Sequence, residues 1–527
     1  MVGSPSPAQS GTMNFDKLVN YLGSVETGIP LIQDLDGRTL TSRQFATRAR
    51  QFANGLHTLG VEEGSRVALL SLNSLEYVEV MVGAVLAGMI AVPLNIRWSG
   101  EELLYAIDHS QINTIVYDDA YAPLVEKIKQ RAGSLKQFIY IGKKDAPEGV
   151  LAYDSLLDTP CELKLDRDVN VECFMSYTGG TTGFPKGVVH THLSMLSCAQ
   201  VLATNGVPHL QRPAMMVMPL FHLSGYGLML ARLIQNRPFV VVPMFRPDIV
   251  VTAVKRFDIS SFLMAPAMFQ MLINAPEFKT EDFLRVSQIV YGASPISEAL
   301  LTLVQKSFPE TDLTQAYGMT EAGAGVFLWP QFHSGDEARI SAAGQASSPT
   351  LEVRIEDEDG NELPVNTIGE VVFYTPSIMS RYYNAPKQTA AAIRNGGYCT
   401  GDVGMKDDFG VLFLKDRMKD MIITGGENVY TAEVESAISM HPDVAMVAVI
   451  GIPDDTYGEA VHAVIVPREG TAPTFEDIRA HTKERIAGYK CPRSISLVEA
   501  LPLSAMNKIL KNKLRAPYWE EQGRDIA

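Results

Sequence analysis

The segment Ser176-Tyr-Thr-Gly-Gly-Thr-Thr-Gly-Phe-Pro-Lys186-Gly187 constrains this chain more than any other. Three glycines ahead of the lysine let the backbone turn tightly and present its N–H groups. Three threonines and a serine add hydroxyl donors, and Lys186 adds a positive charge. A polyphosphate is the natural guest. A plain surface loop has no need of this density of hydroxyls ending in Pro-Lys-Gly. The Walker pattern GxxxxGK[ST] cannot be laid on the segment because Gly187 follows the lysine, which demotes ordinary P-loop kinases and ATPases.

A chain of 527 residues cannot fold around one core, so at least two domains are expected. Its formal charge of −15 argues against nucleic acid or an anionic membrane as main partner. Any anionic ligand must therefore be met by local donors, such as backbone amides and a few Lys or Arg residues. Cys161, Cys173, Cys198, Cys399 and Cys491 lie far apart with no CxxC pair, which suggests reduced thiols in a cytoplasmic protein rather than a disulfide framework or zinc site. The Pro/Ser/Gly-rich opening, residues 1–13, lacks the basic flank and apolar core of a signal peptide and reads as a disordered tail. The apolar run Val80 to Leu94 is interrupted by Gly83, Gly88 and Pro93, and reads as buried helix followed by strand rather than a membrane span.

Phe45, Ala49, Phe52, Leu56 and Leu59 recur at helical spacing, with Thr41 or Ser42 as N-cap. A strand at Val67 to Leu70, a helix from near Asn73 and a strand at Ile90 to Val92 follow, an order that builds parallel sheets flanked by helices. Further strands are expected at Thr114–Tyr117, Phe138–Ile141, Phe239–Val242, Ser261–Met264 and Gln288–Tyr291. From Leu351 the pattern changes to a small antiparallel β region, with Leu351–Ile355 and Glu370–Tyr374 around the turn signal at Asp357 to Gly360. After Asp416 a third texture begins, with strands at Val444–Val449, Ala460–Val466 and Ser494–Val498 and a helix at Thr474–Ile486. The expected architecture is α/β: a large N-terminal domain of α/β sheets plus a β subdomain over 14–418, and a small α+β domain over 419–527.

The glycine-rich segment resembles the signature of the acyl-adenylate-forming superfamily, which contains acyl- and aryl-CoA ligases, peptide-synthetase adenylation domains and firefly luciferases. The rest of the chain sustains the resemblance in order. Met218-Pro-Leu-Phe-His222-Leu-Ser-Gly225 is similar to the segment beside the family's acyl pocket, and Tyr291-Gly-Ala-Ser-Pro295 to its adenine-side loop. Gln315-Ala-Tyr317-Gly-Met-Thr320-Glu321 resembles YGxTE, and Gly396-Gly-Tyr-Cys-Thr-Gly401-Asp402 the ribose segment, with Tyr398 in place of the usual tryptophan. Lys415-Asp-Arg417-Met-Lys419-Asp420 and Ile423-Thr-Gly425-Gly426-Glu427-Asn428 resemble the hinge and the thiol passage. Leu501-Pro-Leu-Ser-Ala-Met-Asn-Lys508-Ile509 resembles the C-terminal lysine motif, with Asn507 where glycine is more common.

The resemblance implies roles for these positions. Thr178, Gly179, Gly180, Thr181, Thr182 and Lys186 would hold phosphates. Gly292, Ala293, Ser294, Ala316, Tyr317 and Gly318 would surround adenine, with Asp402 and Arg417 on the ribose. Glu321 offers a hard oxygen ligand for Mg²⁺ and Thr320 a donor to the α-phosphate. Lys508 would stabilise the charge that shifts as a carboxylate attacks the α-phosphorus. His222, Gly225, Tyr291, Gly292, Ala316 and Gly323 would line the acyl pocket, while His190 and His192 read as structural. Lys419 would be the hinge about which the small domain turns. By resemblance to 4-chlorobenzoate–CoA ligases, CoA would meet Gly425, Gly426, Tyr457, Tyr489 and Arg493, with Cys491 where an arginine occurs in such an enzyme.

The implied reaction is AMP-forming acid–CoA ligation with ATP, Mg²⁺ and CoA. Aromatic acids such as hydroxycinnamates or benzoates come first as substrates, and medium- or long-chain fatty acids second. Loading of a carrier protein, a luciferase-like oxygenase and a non-catalytic nucleotide sensor are the rivals, and the last would be expected to lose Lys508, Glu321 or the phosphate loop. A homodimer is compatible with this reading.

Overall fold

The computed structural model describes residues 13–25, 27–160, 167–178, 185–205, 211–294, 296, 298–333, 341–503 and 509–520. Among the expected site residues, Gly179, Gly180, Thr181, Thr182 and Lys508 lie outside that set, as does nearly all of the expected N-terminal tail.

Among the described residues, two large sheets form the body of the molecule. In the first, Gln137–Ile141, Thr114–Asp118, Arg66–Leu70 and Ile90–Pro93 are successive parallel neighbours. Glu172–Thr178 continues in parallel, and Lys186–Thr191 returns antiparallel beside it. In the second, Phe239–Val241, Ala214–Met216, Ser261–Met264, Gln288–Gly292 and Asp312–Met319 run parallel, then Gly323–Leu328 turns back. The central strands Ile90–Pro93, Ala214–Met216, Phe239–Val241, Ser261–Met264 and Gln288–Gly292 are short and buried on both faces, the pattern that helices on both sides of a parallel sheet require.

Helix Ser42–Thr58 begins at Thr41, whose side chain accepts from the Gln44 amide in a reciprocal capping box. Phe45, Ala49, Phe52 and Leu56 fill its buried face, as their spacing predicts. Each large apolar side chain removed from water in this way contributes roughly 1.5–3 kcal/mol. Its neighbour Leu75–Leu86 is buried almost throughout, and the run Val80 to Leu94 resolves into the end of this helix and the strand Ile90–Pro93. It starts two residues later than expected because the Ser74 hydroxyl caps it, accepting from Tyr77 N. Among the described residues no helix is long and apolar enough to cross a membrane.

The antiparallel region forms a third sheet, with Glu352–Glu356 against Gly369–Tyr374, then Gly397–Lys406 and Leu412–Arg417. The chain then enters a smaller α+β unit with its own core of Ile422, Val434, Ile438, Val449, Val461 and Ile478. Its centre is the long hairpin of Val444–Asp454 and Gly458–Pro467, flanked in parallel by Ser494–Leu497. Both hairpin strands run past their expected ends, through Gly451 to Asp454 on one side and Gly458 to Glu459 on the other, because cross-strand pairing continues to the turn.

Candidate active site

Thr178 pairs with Lys186 and Tyr177 with Gly187, so both ends of the segment first read as loop are strand. The strand pairing at both ends reaches into the 176–187 segment expected as loop, because backbone pairing extends to Thr178 and to the lysine. Strand pairing thereby fixes where Lys186 leaves the sheet. Its Nζ lies 5.0 Å from the centre of the Tyr382 ring. The Tyr382 hydroxyl donates to Glu321 Oε1 at 3.0 Å, so one tyrosine stands between the lysine and the carboxylate.

Thr320 and Glu321 occupy the turn between Asp312–Met319 and Gly323–Leu328. Burial pushes the Glu321 carboxyl above its usual range, while the Tyr382 hydroxyl and the charges of Arg417 and Lys186 oppose that shift. An inward-facing carboxylate that takes the Tyr382 hydroxyl on Oε1 suits a hard divalent cation whose remaining ligands are phosphate oxygens and water, so the residues fit Mg²⁺. The Thr320 carbonyl accepts from His190 Nε2 at 2.8 Å, which leaves His190 Nδ1 to accept from Ser194 Oγ at 3.1 Å. Burial lowers His190 to about 4, so a neutral imidazole anchors the turn. His192 Nδ1 accepts from the Phe15 amide at 3.3 Å. Both histidines are buried and hydrogen-bonded within the fold.

The residues expected at the ribose, Asp402 and Arg417, are register partners in the third sheet, with Arg417 Nε 3.3 Å from Asp402 Oδ1. The Tyr317 hydroxyl donates to the other carboxylate oxygen at 2.6 Å. The Tyr317 ring meets Phe373 edge-on, so packing and a charge-assisted bond both orient it. Gly292 pairs with Ala316, and a Cβ on Gly292 would lie 2.2 Å from the Ala316 carbonyl oxygen. Ala293 has φ +68°, left-handed in a residue with a Cβ, and such strain concentrates at ligand sites. The Tyr291 hydroxyl donates to His333 Nε2 at 2.8 Å, a tautomer set by the Nδ1–H bond to Trp329 O at 3.0 Å. Tyr291 is fully buried, so its ring backs the strand end.

His222 caps helix Leu223–Gln235, its Nδ1 accepting from Ser224 N at 3.3 Å. One turn on, a Cβ at Gly225 would meet the Pro219 carbonyl oxygen at 2.1 Å. Helix His192–Asn205 packs against both this helix and the strand carrying Gly323, where Cys198 Sγ is 3.0 Å from the position of a Cβ. Acyl-side candidates from distant parts of the sequence thus rest on one helix.

Lys419 is exposed at the surface, and local desolvation together with the Arg417 charge lowers its pKa. Its carbonyl accepts from Arg515 Nη1 at 2.9 Å, while Asp420 pairs with Nη2 at 2.6 Å. Gly425 and Gly426 have φ +59° and +83° and form the two-residue turn between Ile422–Thr424 and Glu427–Val429. Gly425 N donates to Tyr457 O at 2.8 Å, and the Arg493 guanidinium lies 3.8 Å over the Tyr457 ring. These three candidates converge. Tyr489 is half-exposed beside Lys490, whose ammonium is held 2.7 Å from Glu433. Cys491 is buried and its thiol pushed up by burial, so it supplies no substitute for an arginine's charge.

Sequence reasoning missed Tyr382, which joins Lys186 to Glu321, and placed Tyr398 in the ribose segment without a role of its own; the Tyr398 hydroxyl lies 3.5 Å from that of Tyr382. Tyr382 belongs to the two-residue strand Arg381–Tyr382 paired with Lys186–Thr191. No periodicity in the chain announces so short an edge strand.

A family model described as AMP-binding enzyme matches residues 27–383, and one described as AMP-binding enzyme C-terminal domain matches 433–508. A feruloyl-CoA synthase of an Amycolatopsis species is 33% identical, covering 92% of this chain and 94% of that protein. The fatty acid–[acyl-carrier-protein] ligase ScoC of Streptomyces coeruleorubidus is 32% identical, covering 93% and 94%. ATP-bound MatB from Rhodopseudomonas palustris superposes with TM-score 0.85 at 27% identity, over 96% of this chain and 99% of that one. The anthranilate CoA ligase AuaEII with anthranoyl-AMP gives 0.86 at 25% identity, over 97% and 98%.

Proposed function

The chain belongs to the AMP-binding enzyme family, and on that premise we propose that it is an AMP-forming ligase joining a carboxylic acid, favoured as aromatic, to CoA. The observation that carries the nucleotide half is the convergence of Tyr317 and Arg417 on the Asp402 carboxylate, with Glu321, Tyr382 and Lys186 as a second polar group. Asp402 presents acceptors to the ribose hydroxyls, and Arg417 keeps its charge in place. The paired positions Gly292 and Ala316 leave backbone where larger side chains would block a flat base. Thr178 and Lys186 hold the phosphates from the sheet edge, joined by Gly179, Gly180, Thr181 and Thr182.

Glu321 would hold Mg²⁺, which when bound neutralises phosphate charge. Lys186, aimed toward the same tyrosine, adds fixed positive charge, and Thr320, anchored through its carbonyl by His190, donates to the α-phosphate. Lys508 stabilises the charge that builds as the acid's carboxylate attacks the α-phosphorus and pyrophosphate departs. Preorganised charge of this kind accelerates such steps by roughly two to three orders of magnitude per group. For the second step, the small domain, taken as 419–527, turns about Lys419. The Gly425–Gly426 turn then borders the thiol passage, and Arg493 with Tyr457 meets the CoA nucleotide.

The aromatic preference is supported by the feruloyl-CoA synthase and anthranilate ligase similarities. A second reading, loading of a fatty acid onto a carrier protein, is favoured by the similarity to ScoC. Lys508→Ala separates catalysis from binding: adenylation is expected to fall at least about a hundredfold, with acyl transfer from supplied acyl-AMP retained. Unchanged pyrophosphate release in that variant would refute the assigned role.

A further inference from the structure

Helix Thr431–Ser439 opens the small domain, and its N-cap residue Tyr430 makes no side-chain capping bond. The missing acceptor comes from outside the helix. Asp416 Oδ2, at the end of strand Leu412–Arg417, accepts from the Thr431 amide and, at 2.8 Å, from the Thr431 hydroxyl. That hydroxyl in turn accepts from Lys511 Nζ at 2.6 Å, and the same ammonium pairs with Glu435 Oε1 at 2.7 Å. Thr431 is completely buried, so the chain Lys511 to Thr431 to Asp416 is shielded from competing water.

The members of this chain fall on two sides of Lys419. Thr431, Glu435 and Lys511 belong to the small domain, and Lys511 stands three residues after Lys508. Asp416 belongs to the sheet that carries Asp402, and its neighbour Arg417 is the ion-pair partner of Asp402. A turn about Lys419 carries the first three together and leaves Asp416 behind. The helix then loses its cap.

We propose that Asp416 is a positioning residue that caps helix Thr431–Ser439 across the hinge, favours the domain orientation seen here, and so sets the balance between adenylation and acyl transfer. This rests on the two-step reading above. A bond that exists in one orientation only shifts the population of the two by its own differential free energy, whatever else the orientations share.

The test measures ATP–pyrophosphate exchange and acyl transfer from supplied acyl-AMP to CoA separately, on the full-length enzyme with an acid the wild type accepts. Asp416→Ala is expected to change the ratio of the two rates at least fivefold. Thr431→Val, which keeps the amide and removes the hydroxyl, should change it at least twofold in the same direction. Asp416→Asn should stay within twofold of wild type, because its amide oxygen still accepts from the Thr431 N–H. Should Asp416→Ala fail to fold, Thr431→Val carries the test. Equal loss of both half-reactions, unchanged ratios, or opposite shifts in the two variants overturns the proposal. A wild type that performs neither half-reaction with any acid overturns the ligase reading instead, and this inference falls with it.

Discussion

At the scale of single residues, the site trades stability for charge. Burial holds folded Glu321 above its ordinary range, whereas in the unfolded chain it titrates near about 4.3. Folding therefore favours the protonated form: its contribution to stability is full below the unfolded value and is lost as pH rises through the folded one. Glu321→Gln, a fixed copy of the neutral form, is expected to raise the ligand-free melting temperature by about 2 °C or more at pH 8 and little at pH 4, while nearly abolishing adenylation. Thermal melts across that range decide it, and a gap independent of pH would contradict the burial argument. Tyr317→Phe removes a hydroxyl donor to the Asp402 carboxylate. A hydrogen bond to a charged group is worth about 1.5–3 kcal/mol, so KM for ATP should rise roughly tenfold or more with kcat less affected. Equal KM values in the two proteins would remove Tyr317 from ribose positioning.

At the scale of elements, the periodic segments were legible and the edges were not. Thr41, Phe45, Ala49, Phe52 and Leu56 announced helix Ser42–Thr58 because cap and buried stripe agree. Ser261–Met264 was recovered to the residue because the apolar run Phe262 to Met264 lies between the polar pair Ser260-Ser261 and the breaker Pro266. Arg381–Tyr382 was invisible, since two residues hold no period and its existence depends on Lys186–Thr191 offering an edge. The same limit hid Tyr382 and the His333–Tyr291 bond, which depend on contacts between remote segments. What sequence did expose was chemistry concentrated in short motifs, such as Thr320 with Glu321 and Gly425 with Gly426. The last pair occupies left-handed turn positions, so Gly425→Ala should cost about 1–2 kcal/mol in the hairpin. Its effect is expected on acyl transfer more than on adenylation, measured as separate half-reactions; an adenylation defect of equal size would detach this turn from the thiol passage.

At the scale of the whole molecule, one site must serve two chemistries in succession, and the architecture divides the task. The sheets of the large domain carry the nucleotide-site candidates Thr178, Gly292, Ala316 and Asp402, whereas the small unit carries Gly425, Tyr457 and Arg493 on a separate core. Restricting the backbone between them should therefore separate the steps. Lys419→Pro is expected to impair acyl transfer more than adenylation, and equal loss of both would count against domain alternation. The central claim, that ATP activates a free acid for transfer to CoA, is tested most directly by screening carboxylic acids for pyrophosphate release and identifying the thioester by mass. Acid-dependent release with a matching acyl-CoA, strongest for a hydroxycinnamate or benzoate, is the predicted result; no acyl-CoA with any acid, but acylation of a carrier protein, would contradict it.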